Sequence, residues 1–299
     1  MQHKNEVNDD RELQGPHAYD RFNNISKICQ SRYLNSIKAQ SIILIVIALL
    51  SSFSISSTKS EQCLRFTLIA LSITVLGIII FQQNKNYMKG WQNARFIAES
   101  VLSNSWLFAF KIGIYDNTEK TATTCFIDNI DKIEKEVELK NYYSIYSSQL
   151  PTIASWMQQL FSETNIANKK AFYIKHRLDD QIIWYTKKSQ FNMNQSSFWF
   201  TLSLILLLVG IILTLVIQLN QFSILGFLST ITAAILIWRQ TKRFDELKVT
   251  YAVAAKELHS LKAKFELEKD EPDILKFVEE AERSISREHK LWFNWTYIS

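Results

Sequence analysis

Fifty consecutive residues, from Ser189 to Trp238, contain no charged side chain. A bilayer core about 30 Å thick takes about 20 helical residues, so a tract of this length is long enough to cross twice. The only polar break in it wide enough for a turn is Gln218-Leu219-Asn220-Gln221. Two shorter tracts precede it: 20 uncharged residues between Lys38 and Lys59, and 19 from Phe66 to Asn84. The pattern predicts four spans paired as two hairpins, over 41–57 and 66–82, then 197–217 and 222–238. A buried helical hairpin of a soluble protein competes as a reading of the shorter first pair.

Composition narrows the chemistry. The chain has six Gly and three Pro, too few for a turn-rich β-sandwich or a glycine-cradled phosphate site. Three Cys and five His, none spaced as CxxC or HExxH, leave no disulfide framework and no zinc site. Nucleophile elbows, deaminase signatures and acidic metal triads are missing from the sequence as well. We therefore expect neither an enzyme nor a bound cofactor or metal. The modest basic excess, 34 Lys plus Arg against 29 Asp plus Glu, has no recognition motif attached and argues against nucleic acid as a partner.

Basic residues also set the orientation. Fifteen Lys and Arg within 20 residues of the span ends lie on the side of the termini and the central segment, against only Lys59 and Arg65 on the hairpin-tip side. Positive residues remain inside, so both termini and most of the non-membrane mass are expected in the cytoplasm, with an inner (cytoplasmic) membrane location. About 40 polar residues precede the first apolar tract and no clean cleavage site follows it, so the first span is not expected to be a signal peptide.

The fold expected is an all-α integral membrane protein: four transmembrane helices as two hairpins, with long cytosolic helical extensions. A disordered tail is expected at 1–19, a first hairpin unit at 20–112, a cytosolic helical connector at 113–167, and a second hairpin unit at 168–299. In the last exit helix Phe244, Tyr251, Leu258 and Phe265 recur at seven-residue spacing, with Leu247, Ala254 and Leu261 three positions after the first three. That is a coiled-coil seam, open to the chain's own cytosolic helices or to another subunit. It predicts that span 4 and its exit helix form one continuous rod of roughly 70 Å at 1.5 Å per residue.

Around these hairpins the sequence resembles the SLATT family, two-transmembrane domains associated with bacterial nucleotide-signalling and conflict systems, in two tandem units. The resemblance rests on Trp91, Ala94, Arg95, Ala98, Glu99 and Trp106 after the first hairpin, and on Tyr173, Arg177, Gln181, Trp184, Tyr185 and Lys188 before the second. It continues in Glu279, Glu282, Ser286, Glu288, His289 and Trp292 near the C-terminus. It implies a membrane effector, a homo-oligomeric pore former triggered from the cytosol by a nucleotide second messenger or a sensor protein. A non-conducting membrane scaffold assembled through its cytosolic helices is the alternative.

Individual residues carry readings of their own. Arg177, Gln181, Trp184 and Lys188 are four, three and four positions apart, which places them on one face of a regular helix. That face suits an anionic headgroup or phosphate; equally, Arg177 suits an ion pair with Glu282 or Glu288. His289, beside Glu288, has no nucleophile or metal partner at a useful spacing. Arg95 and Glu99 stand at i, i+4, and Trp91 and Trp106 suit core or interfacial anchoring. No span contains an ionisable residue, which argues against a proton relay. Small and hydroxyl residues share faces of two spans: Thr67, Thr74 and Gly77 in span 2, and Gly226, Thr230 and Ala234 in span 4. These faces suit close helix packing or the lining of a wetted path.

Overall fold

The computed structural model describes residues 13–53, 58–136, 152–216, 223–267 and 270–294, and among them it is helical throughout, without a strand. The helices are α1 (His17–Ser51), α2 (Thr58–Lys85), α3 (Tyr87–Ala109), α4 (Glu119–Glu136), α5 (Ser155–Ser162), α6 (Ile166–Tyr173), α7 (Asp180–Val216), α8 (Ile224–Lys242), α9 (Phe244–Leu267) and α10 (Glu271–Asn294). A π-helical segment, Ile174–Asp179, joins α6 to α7. Helix α1 begins at His17, within the tail expected at 1–19, and the Gln14 carbonyl accepts a hydrogen bond from Trp156 Nε1 at 3.1 Å. Residues 1–12 of that tail lie outside the described residues, as does the second hairpin tip, 218–221. Four helical stretches are long and apolar enough to cross a membrane. The chain is a multi-pass all-α membrane protein.

The chain divides into two compact units. One, formed by 29–88 and 184–253, contains all four spans. Its helix neighbours follow from specific contacts. Helix α2 lies on α1, where Gln40 Nε2 donates to Gln82 Oε1 at 2.8 Å, and at the start of α3 the Tyr87 ring lies 5.5 Å from the Arg32 guanidinium of α1. The next neighbours, α1 and α8, run antiparallel. Ser223 N–H donates to the Ser52 carbonyl at one end (3.1 Å), and Lys38 Nζ stands 5.3 Å from the Trp238 ring at the other. Fourteen and fifteen residues separate these anchor points, about 21–22 Å of each chain at the helical rise. Against α8 lies α7, with Leu225 and Leu228 3.4 Å from where a Cβ would stand on buried Gly210. Apolar side chains on the spans point outward, Phe66 72% and Leu215 79% exposed, as suits a surface solvated by lipid.

Helix α1 ends at Ser51, short of the predicted span end at 57, and Ser52 turns the chain with its hydroxyl bonded back to the Ala48 carbonyl. Nor is the rod through span 4 continuous. Arg243 takes a left-handed conformation (φ 53°, ψ 36°) between α8 and α9, and its N–H bonds the Gln240 carbonyl instead of extending the ladder to residue 239. The first hairpin also turns left-handed at Asn86 (φ 46°) between α2 and α3, although the Asn86 N–H still bonds the Gln82 carbonyl at 2.8 Å. In both places a lysine precedes the left-handed residue and a buried aromatic, Tyr87 or Phe244, follows it.

The other unit takes in the described parts of 1–28, 89–183 and 254–299. Its central helix is α3, where Ala94, Ile97, Ala98 and Val101 are fully buried at helical spacing. Trp106, also in α3, lies 4.5 Å from the Trp156 ring of α5 and edge-on to Tyr173 at 5.2 Å. Helix α4 contributes Ala122, Phe126 and Ile130, and α10 contributes Ile274, Phe277, Val278, Ala281 and Ile285. The seven-residue seam of α9 makes contacts within the chain. Phe265 stacks on Phe277 at 4.2 Å in this unit; in the membrane unit Tyr251 packs on Trp184 at 5.3 Å.

Candidate functional site

Among the described residues, the most buried charges meet where α6 runs into the π-helical segment. Arg177, 2% exposed, donates from Nε and Nη2 to the two oxygens of Glu282 at 2.9 and 2.8 Å, and Tyr173 Oη donates to Glu282 Oε1 at 2.9 Å. Glu282 stands on the buried face of α10, one residue from Ala281, and is itself 1% exposed. A planar guanidinium matched to a carboxylate in this bidentate way is strong and directional. Burial works against the Arg177 cation, but the adjacent Glu282 charge and its hydrogen bonds outweigh that, with Tyr173 and Glu99 adding to them, and hold the guanidinium above its ordinary value. The Tyr173 phenol is pushed well above its usual range, first by burial and then by Glu282. The group is therefore a buried lock in which Arg177 and Tyr173 both keep their protons at neutral pH.

Of the carboxylates considered for Arg177, the structure places Glu282 on it; the side chains of Glu288 and His289 lie outside the described residues. Of the face expected to hold Arg177, Gln181, Trp184 and Lys188, Arg177 lies in the π-helical segment, whose i→i+5 bonding departs from the regular helix that the four-three-four spacing assumes. Arg177 is consumed by Glu282, Gln181 is half-buried, and Trp184 and Lys188 belong to the membrane unit. There Trp184 packs edge-on to Tyr185 and Tyr251, and Lys188 Nζ lies 5.8 Å from the Trp184 ring.

In α3, Arg95 and Glu99 form an ion pair along the helix, with Arg95 reaching Asn23 Oδ1 at 3.4 Å, while Trp106 is buried in the aromatic core and Trp91 is half-buried. On the spans, Thr67, Thr74, Gly77 and Gly226 are exposed, and Thr230 and Ala234 are half-buried. The three hydroxyls bond back to the carbonyl four residues earlier, at 3.0, 2.9 and 3.0 Å. A Cβ on Gly77 would meet nothing within 4 Å.

A second polar cluster, which the sequence reading did not identify, braces the break at Arg243. Asp245 Oδ1 accepts from Ser196 Oγ (2.6 Å) and Lys248 Nζ (2.8 Å), and Oδ2 accepts from Arg239 (2.6 Å). The hydrogen bonds from Lys248 and Ser196 push the Asp245 carboxyl down to about 2. Only the start of α9 at residue 244 would have signalled it, since Asp245 is then a first-turn acid at a helix N-terminus. Among the described residues no group of His, Cys, Asp and Glu is arranged to hold a metal ion.

Two helical hairpins in one membrane unit, with further helices forming a second compact unit, define a tandem two-transmembrane protein. Residues 16–168 match the family described as SMODS and SLOG-associating 2TM effector domain 3, and residues 173–292 match SMODS and SLOG-associating 2TM effector domain 1. The chain belongs to this family and contains two such domains in tandem. No curated protein sequence and no solved structure matches it.

Proposed function

We propose that this chain is a membrane effector of a bacterial nucleotide-signalling or anti-phage conflict system, acting as a homo-oligomeric pore triggered from the cytosol and having no enzymatic activity. Its family association supplies the effector role. The single observation that carries the pore reading is the exposed face of α2, where Thr67, Thr74 and Gly77 are all exposed and a Cβ on Gly77 would meet nothing within 4 Å. Small and hydroxyl residues permit close approach of a second helix and tolerate water beside them. Four helices packed together fill their own centre with side chains, so an aqueous path requires several subunits. Both termini lie in the cytoplasm, and the membrane is the inner one, as the basic residues flanking the spans favour. The trigger is a nucleotide second messenger or a cytosolic sensor protein that acts on the helical unit holding Arg177 and Glu282.

Leakage of dye or ions from proteoliposomes at increasing protein density tests this reading, with and without cyclic nucleotides. Cooperative leakage that rises with density is the expected result, and Thr74→Leu or Thr230→Leu should reduce it at unchanged assembly. Intact vesicles containing inserted oligomers under every condition would leave a non-conducting scaffold as the function.

A further inference from the structure

The membrane unit is unevenly charged in a way its own residues do not correct. Residues 29–88 and 184–253 contain eleven Lys and Arg but only three carboxylates, Glu61, Asp245 and Glu246. Each carboxylate is already engaged: Glu61 with Arg65, Asp245 with Arg239 and Lys248, and Glu246 with Arg243. Lys38, Lys188 and Lys242, from α1, α7 and α8, have no carboxylate within ion-pair distance among the described residues, and two of them converge. Lys38 Nζ and Lys242 Nζ stand 5.3 and 5.4 Å from the same Trp238 ring. The Lys242 ammonium is held below its ordinary value by its half-burial and then by Lys38 and Lys188, so both of those charges reach it.

Gathering three mutually repelling ammonium groups costs free energy unless an anion joins them. Their depth says what kind. Lys242 lies four residues past the end of span 4 and Lys38 three before span 1, where headgroup phosphates sit and where tryptophan rings are favoured. Basic pockets between spanning helices on the cytoplasmic side are suited to anionic headgroups. We propose that Lys38 and Lys242, which share the Trp238 ring, form with Lys188 on the adjoining α7 a binding site for a phosphate-bearing anion that serves as their missing counter-charge. Arg177, which the sequence placed on one face with Lys188, is not part of it. The site is independent of whether the protein conducts.

The test uses the full chain in neutral detergent, with native mass spectrometry to count bound phosphatidylglycerol against phosphatidylcholine, and calorimetry with inorganic phosphate and pyrophosphate as the soluble arm. Each lysine contributes about fivefold to anion affinity, so Lys38→Gln/Lys188→Gln/Lys242→Gln should lose about a hundredfold. Retention of phosphatidylglycerol by the native chain and its loss in the triple variant identifies a lipid headgroup. The same loss in the soluble arm alone identifies a free phosphate compound. If the triple variant does not fold, the three single Gln variants each should lose about fivefold, whereas Lys187→Gln, an exposed neighbour outside the cluster, should lose nothing. Unchanged binding in the Gln variants, or an equal loss in Lys187→Gln, would overturn the proposal.

Discussion

Arg177 and Glu282 illustrate how the worth of a buried charge depends on its partner. Removing one member leaves the other charged and dry, which costs about 3–5 kcal/mol, whereas replacing both with apolar residues of similar volume is close to neutral. Arg177→Ala and Glu282→Gln should each lower the thermal midpoint of the detergent-solubilised chain sharply. Arg177→Met/Glu282→Leu should recover most of that loss, and thermal unfolding of the four species checks it. Asp245 makes the opposite case, an exposed carboxylate held by three donors. Its folded pKa, about 2, lies below that of an unfolded aspartate, about 3.9. The stabilisation is therefore fully present above pH 4 and lost as pH falls towards 2. Asp245→Asn should flatten the stability profile between pH 4 and 2 and leave its shape above pH 5 unchanged, as read by unfolding at stepped pH. The arginine was visible in the sequence as one half of a pair. Asp245 was not, because its donors Ser196 and Arg239 are distant in sequence or across a helix break that the apolar pattern does not record.

At the scale of the element, the two hairpins repeat a device that hydrophobic periodicity cannot show. A lysine, a left-handed residue and a buried aromatic end each second span, at Lys85-Asn86-Tyr87 and Lys242-Arg243-Phe244. Asparagine tolerates positive φ better than most side chains, and β-branched residues hardly at all. Asn86→Gly should be neutral or stabilising, while Asn86→Val should cost about 1–2 kcal/mol. Chemical unfolding of the two variants in detergent micelles tests the pair. Equal stability would mean that the left-handed backbone at Asn86 is not what the fold requires. The heptad in α9 spells out a continuous apolar stripe, and the stripe is real: Phe244, Leu258 and Phe265 are buried. What it packs against, α6 and α10 at Phe265 and α7 at Tyr251, is a long-range matter that a local repeat leaves open. The π-helical segment is equally invisible beforehand. One added residue in a turn is set by what Tyr173 and Arg177 must reach on α10, and the sequence of α6 and α7 alone reads as one regular helix.

For the whole molecule, the orientation proposed from flanking charges has a direct readout in two of its three cysteines. Cys63 is exposed near the tip of the first hairpin, whereas Cys29 is buried on α1 and its thiol is pushed up to about 11 by burial, despite Arg32 nearby. A membrane-impermeant maleimide added to intact cells at pH 7.5 should modify Cys63 and leave Cys29 untouched. Labelling of Cys63 only after the membrane is breached would reverse the orientation. The sequence by itself determined the helical class, the pairing of four apolar segments into hairpins and the tandem family units, because uncharged length and basic flanks are local quantities that a bilayer selects directly. Only the tertiary structure decided which helices neighbour one another, where the second span of each hairpin breaks, and that Arg177 turns to Glu282 while Lys38 and Lys242 meet at Trp238. Those outcomes depend on side chains far apart in the chain competing for a few buried partners, a competition that is settled in three dimensions.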